Sequence, residues 1–192
     1  IVLQADADYE PPAEEQRVVY GTDMRQARAA KAVDAETLAN VVTADKSMTD
    51  GAKRDLLVAQ IAIKYTQSNS VGYAKDGQMV GVGAGQQSRV DCVKLAGRKV
   101  ATWYLRQHPK VRALAFNDGV KRQERINARV RYIEGDMPPT EYAQWLTNFS
   151  SEPEPLTLSE KDEFLKGLDG VALASDAFFP FRDSLDVAST RG

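Results

Sequence analysis

Between residues 78 and 85 the chain reads Gln-Met-Val-Gly-Val-Gly-Ala-Gly. Gly81, Gly83 and Gly85 alternate with Val80, Val82 and Ala84. Successive side chains of a strand point to opposite faces, so one face of this strand is bare backbone. Another element or a ligand must approach it closely. The strand is one arm of a hairpin: residues 71–75 and 78–83 flank Asp76-Gly77, a favoured two-residue turn. The glycines are not a dinucleotide fingerprint, because the Gly-x-Gly-x-x-Gly spacing is missing and they lie on a strand instead of opening a helix. A close strand–helix contact is the preferred reading.

The strand sits inside a longer polar stretch, residues 64–89, KYTQSNSVGYAKDGQMVGVGAGQQSR. A helix predicted over residues 50–66, capped by Thr49, leads into it. Leu56, Leu57, Ala59, Ile61, Ala62, Ile63 and Tyr65 cover most of that helix, which predicts a buried one. Thr66, Ser68, Asn69 and Ser70 at its end then need partners. Bonding to local backbone accounts for one or two of them. Asn69 can bridge a ligand through its donor and its acceptor, and clustered oxygens suit a monovalent cation. A second helix, capped by Ser88 or Asp91, runs to about residue 107, where Pro109 ends it. Arg89 at its start is either a surface arginine or, with the free helix N–H groups, a clamp for phosphate or carboxylate.

Elsewhere the sequence predicts strands over residues 1–3 and 17–20, with the Pro11-Pro12 and Glu14-Glu15 segment as their connector and Gly21-Thr22 as a stop. It predicts an Ala-rich helix over residues 23–40 and a strand over 111–116. Helices follow over 120–133, 140–149 and from the capping box Thr157/Glu160 to Gly167. A last strand, residues 171–174, delivers SDAFFPFRD, residues 175–183. Alternating strands and helices give an α/β fold, three layers α/β/α around a mixed sheet. Phe178, Phe179 and Phe181 read by default as core, or as a slot for a flat ring. Asp183 reads as the partner of Arg182 or as a reader of ring N–H groups. His108 reads as a helix C-terminal dipole partner, and Cys92 as buried and inert. Lys121, Arg122, Arg125, Arg129 and Arg131 read as a solvated helix face, with a subunit contact as the alternative.

Composition excludes several functions. With 192 residues, 43% hydrophobic, the chain can bury a core. Its net charge of −2 is spread evenly, so neither nucleic acid nor a membrane surface is an expected partner. One cysteine and one histidine supply no zinc cluster, which disfavours a zinc deaminase.

Three separated motifs carry a resemblance: KYTQSNSV (residues 64–71), GAGQQSR (83–89) and SDAFFPFRD (175–183), with YAKDGQ, CVKLAG and GVKRQE between them. Together they resemble the AICAR transformylase domain of the PurH family, bifunctional proteins of purine biosynthesis. The resemblance implies a cytosolic homodimer with shared active sites. It implies a cytidine-deaminase-like fold without zinc, and transfer of a formyl group from 10-formyltetrahydrofolate to AICAR ribonucleotide. Asn69, Arg89 and Phe178 would bind the nucleotide, Arg89 through its phosphate, with Asn69 also orienting the reacting groups. Val90, Pro180, Phe181 and Asp183 would line the folate pocket. Thr66, Ser68, Ser70 and Asp176 would hold a potassium ion. Residues 1–45 would end a preceding subdomain, and residues 46–192 would form the deaminase-like one. The family's catalytic Lys-His pair and its IMP cyclohydrolase domain have no counterpart in these residues, and His108 does not match the catalytic histidine. An internal fragment without formyl transfer of its own is therefore the expectation, with a noncatalytic folate- and nucleotide-binding or dimerisation module as the alternative.

Overall fold

A computed structural model describes residues 2–191. The chain forms two compact units, Ile1–Asp34 and Ala35–Gly192. The first carries an antiparallel hairpin of β1 (Glu14–Val19) and β2 (Thr22–Ala27), with Val19 opposite Thr22 and Glu14 opposite Ala27. Tyr20 and Gly21 form its turn with φ of 48° and 77°, the left-handed pair that closes a two-residue hairpin. Every residue of both strands is exposed. Three expectations change here. Glu14-Glu15 open a strand instead of a connector, Gly21-Thr22 reverse the chain instead of stopping it, and residues 23–27 are strand, not helix. Of the strand predicted at residues 1–3, Ile1 lies outside the described residues, and Val2 and Leu3 have no regular structure.

The second unit is layered α/β/α. Its sheet has the order β4–β3–β5, with β3 (Ser70–Lys75) in the centre, β4 (Gln78–Ala84) on one side and β5 (Ala172–Ser175) on the other. Both pairings are antiparallel, so the mixed sheet expected from the alternation is not found among the described residues. The missing strand is the one predicted over 111–116. His108-Pro109 instead starts a helical turn, α3 (Pro109–Arg112), with proline at its first positions. Only Phe116 pairs, in a single bridge to Phe149.

One face of the sheet packs on α1 (Asp50–Lys64), where Ala59 and Ile63 meet Ala74 and Ala174. The other packs on α2 (Arg89–Leu105), where Val71, Tyr73 and Val80 meet Cys92, Val93, Ala96 and Val100. Thr49 caps α1 as expected, its Oγ1 accepting from Ala52 N at 3.1 Å. However, α1 is not buried all round: Asp55, Ala59 and Ile63 face inward, while Ile61 is 47% and Tyr65 80% exposed. The apolar count overstated burial because the sheet covers only one side of this helix.

The bare face of β4 lies against α2. A Cβ built on Gly81 would sit 2.4 Å from Ala96 O, and one on Gly83 2.1 Å from Cys92 O. The glycines serve close strand–helix packing. A second core lies around α4 (Arg122–Glu134), α5 (Pro139–Leu146) and α6 (Leu158–Leu165), where Tyr132, Trp145 and Phe149 stack with Leu105, Val111 and Leu114. A short helix, α7 (Asp183–Ala188), and a turn of 3₁₀ helix, Ser189–Arg191, follow β5; neither was among the expected elements. No helix among the described residues is long and apolar enough to cross a membrane.

Candidate functional site

Sheet register brings the site together. Val71 pairs with Ser175 and Ser70 with Ala84, so the start of β3, the end of β5 and the end of β4 share one edge of the sheet. The loop 85–88 then delivers Arg89 to the same edge, with Ser88 as N-cap of α2. Its Oγ accepts from Asp91 N at 3.2 Å and donates to Asp91 Oδ2 at 2.8 Å, so both predicted cap residues take part.

Asn69 is held at both ends of its amide. Its Nδ2 donates to Gln86 O at 3.0 Å and to Gln87 O at 3.3 Å, and its Oδ1 accepts from Arg89 Nη2 at 3.0 Å. Arg89 Nη1 donates to Ser70 O at 3.3 Å and to Ser175 Oγ at 3.2 Å, and forms an ion pair with Asp176. Asp176 also accepts from Ser70 N at 3.0 Å and from Ser68 Oγ. Burial pushes the Asp176 carboxyl up, but the bonds from Ser68, Ser70 and Arg89 outweigh it and hold the group below the usual carboxylate value. Arg89 is thus not a surface arginine: it is mostly covered, and the carboxylate that its charge faces is Asp176.

The four residues expected around potassium do not form a cation cage. Thr66 Oγ1 donates back to Ala62 O at 2.6 Å within the helix. Ser68 and the Arg89 guanidinium occupy Asp176. Ser70 Oγ is buried without a partner, but a fixed guanidinium on the Asp176 carboxylate disfavours a second cation there. The residues do not fit that ion.

Beside this network opens a cavity of about 430 Å³. Asn69, Gln87, Ser88, Arg89 and Val90 line one side, and Phe178, Pro180, Phe181, Asp183 and Ser184 the other. Residues from all three sequence motifs therefore face one space. Phe178 and Phe181 are 80% and 72% exposed, so they are not core; only Phe179 packs inward, against the α2 side of the sheet. Asp183 does not pair with Arg182, whose Nε bonds Asp186 at 3.0 Å. It stands at the first position of α7, where the free N–H groups favour a carboxylate. Sequence reasoning missed Ser184, buried and donating to Asp183 Oδ1 at 3.2 Å; the Asp-Ser pair after Pro180 was a helix-start signal.

The remaining expectations fall away from the cavity. Cys92 is buried, its Sγ donates to Asn69 O at 3.1 Å, and burial pushes its thiol up. His108 caps α3, its Nδ1 accepting from Lys110 N at 3.2 Å, and packs on Phe164. In the basic helix, Arg131 bonds Glu134, Asp136 and Glu141, while Arg125 and Arg129 cover the Phe116 ring. Among the described residues, no three His, Cys, Asp or Glu side chains gather as a metal site.

Comparison with known proteins bears on the same residues. The sequence profile of the AICARFT/IMPCHase bienzyme family matches residues 1–99, which include the Asn69 turn and Arg89. A bifunctional purine biosynthesis protein PurH from Ruegeria sp. (strain TM1040) is 32% identical over 151 residues, 79% of this chain and 18% of that protein. A protein of the same name from Xylella fastidiosa (strain 9a5c) is 30% identical over 144 residues, 75% of this chain and 16% of that protein. The chain thus spans less than a fifth of the length of these curated relatives. Because the profile covers just over half of the 192 residues and the relatives extend the likeness to more than three quarters of them, the chain belongs to the AICARFT/IMPCHase bienzyme family.

Proposed function

We propose that this chain supplies the nucleotide and folate cradle of a formyltransferase of purine biosynthesis, which moves the formyl group of 10-formyltetrahydrofolate to the amine of AICAR ribonucleotide. One observation carries the reading. Asn69, Arg89 and Phe178, expected at the nucleotide, and Val90, Pro180, Phe181 and Asp183, expected at the folate, line one cavity although Asn69 and Asp183 lie 114 residues apart in sequence.

The chemistry suits such a cradle. The amine is a weak nucleophile, so attack on the formyl carbon depends on the two reactants being held in line. An exposed phenylalanine pair offers faces for flat heterocycles, Asp183 offers an acceptor for ring N–H groups, and Asn69 fixes the polar edge of the nucleotide base. As nitrogen bonds to carbon, the formyl oxygen gains charge and needs a donor, and the amine must lose a proton. Arg89 and Asp183 are the charged side chains on the cavity wall, and we assign neither to proton transfer. Groups outside these 192 residues would do that work, in a homodimer with shared sites.

The test is binding and turnover by the intact protein. Asp183→Asn is expected to weaken a folate analogue about tenfold, the effect of losing a charged hydrogen bond, and to leave AICAR ribonucleotide binding unchanged. Phe178→Ala is expected to do the reverse. If neither substitution changes either affinity, the reading fails. The bound Arg89 charge favours a second reading, a binding or dimerisation module without catalysis. Ligand binding by the intact protein with no formyl transfer would establish that one instead.

A further inference from the structure

We infer that Arg89 and Asp176 are positioning residues that set which face of the Asn69 amide the ligand meets, and that Arg89 is not an anion clamp. The inference rests on reading the cavity as a nucleotide site. The Asp176 and Arg89 side chains are only 16% and 10% exposed. A ligand phosphate that took Arg89 would have to separate this pair and strand a carboxylate that also holds Ser70 N and Ser68 Oγ. Removing one partner of a covered ion pair is strongly unfavourable.

What Arg89 does have is a second arm. Its Nη1 is fixed by Asp176, Ser70 O and Ser175 Oγ, and this aims Nη2 at Asn69 Oδ1. A guanidinium only donates, and a backbone carbonyl only accepts. With Arg89 on one end and the Gln86 and Gln87 carbonyls on the other, the Asn69 amide has a single orientation. Its Nδ2 is turned toward those carbonyls. What it presents to a ligand is the free lone pair on Oδ1. Asn69 therefore selects a ligand that presents an N–H donor, such as the amine or carboxamide of an aminoimidazole. A ligand with an acceptor at that point meets oxygen against oxygen.

The decisive comparison uses AICAR ribonucleotide and its phosphate-free riboside against the intact protein. Arg89→Gln is expected to weaken both by the same factor, about tenfold or more. Arg89→Lys keeps a charge beside Asp176 but has no planar second arm. It is expected to recover most of the thermal midpoint lost in Arg89→Gln and to recover neither affinity. Loss confined to the ribonucleotide, or ribonucleotide binding rescued by lysine, would overturn the inference. A ligand-free measurement guards against failure of the functional reading itself. In wild type the Asn69 side-chain amide should give a sharp, exchange-protected pair of nitrogen-correlated proton signals, and Asp176→Asn and Arg89→Lys should each shift or broaden them. Unchanged signals in both variants refute the positioning role, whatever the ligands do. If wild type binds neither ligand, the cradle reading falls, and these signals still decide the geometry.

Discussion

The two hairpins of this chain close in the same way and do opposite jobs. Tyr20-Gly21 turns with φ of 48° and 77°, Asp76-Gly77 with φ of 53° and 77°. The first joins strands that are exposed at every position. The second joins β3, buried at five of its six positions, to a strand that lies against α2. It is also tied down from outside: the Asp55 carboxylate, buried on α1, accepts from Asp76 N at 2.9 Å and from Gly77 N at 2.7 Å. Turn geometry makes a hairpin, but what its strands bury decides whether it organises a fold. That difference can be broken or sharpened by substitution.

The largest effect is expected at Gly83. An alanine Cβ would press on Cys92 O of α2, and overpacking of this kind removes about 3 kcal/mol or more. Denaturant unfolding of Gly83→Ala measures it; a loss under about 1 kcal/mol would mean that β4 does not lie where described. Next comes Asp55→Ala, which leaves two turn N–H groups without their acceptor, at about 1–3 kcal/mol. Among the described residues of the first unit, no buried carboxylate holds the Tyr20-Gly21 turn in this way. The Asp55 carboxyl lies below its usual value chiefly through its bond with Arg54, with burial opposing and the two turn N–H groups adding to the shift. A group lowered on folding stabilises above its unfolded pKa of roughly 4, and that contribution fades as pH falls through the lower folded value. Acid titration of stability should therefore be shallower in Asp55→Asn than in wild type below about pH 4.

Matched glycine substitutions come third. Neither Gly77 nor Gly21 has a neighbour closer than 3.5 Å to an added Cβ. Alanine at either is penalised by its positive φ alone, by about 1 kcal/mol. For Gly77 the loss should appear in the melting of the larger unit. For Gly21 it should appear only in the chemical shifts of residues 14–27. The smallest effect is a gain: Tyr20→Asn creates an Asn-Gly turn and should stabilise the first hairpin by less than about 0.5 kcal/mol, read from the same shifts.

The same pair shows what the sequence discloses. Asp76-Gly77 was legible because the alternation on either side agreed with the turn residues. Tyr20-Gly21 was not, because tyrosine is an uncommon left-handed residue and the flanking Glu-Glu-Gln-Arg carries no apolar face. The expected approach to Gly81 and Gly83 was correct, since an empty strand face has few physical solutions. Burial of α1 was misjudged, because apolar content reports how much a helix can bury and not how many neighbours it has. Of the residues that line the cavity, Asn69, Arg89, Phe178 and Asp183 were visible as types at positions, and Ser184 was missed. What no local pattern could show is that the Arg89 charge is spent on Asp176, 87 residues away in sequence. Pairing across the sheet created that contact, and register is a property of the fold.

The second unit also carries its own optical probes. Trp145 is buried in the α4–α6 core, stacked on Tyr132 and bonded through its indole N–H to Ala128 O at 2.9 Å. Trp103 packs at the margin of the core between the sheet and α2. These are the two tryptophans of the chain. Trp103→Phe and Trp145→Phe would each leave one fluorophore, and the wavelength of its emission during denaturation would report whether the aromatic core or the sheet loosens first.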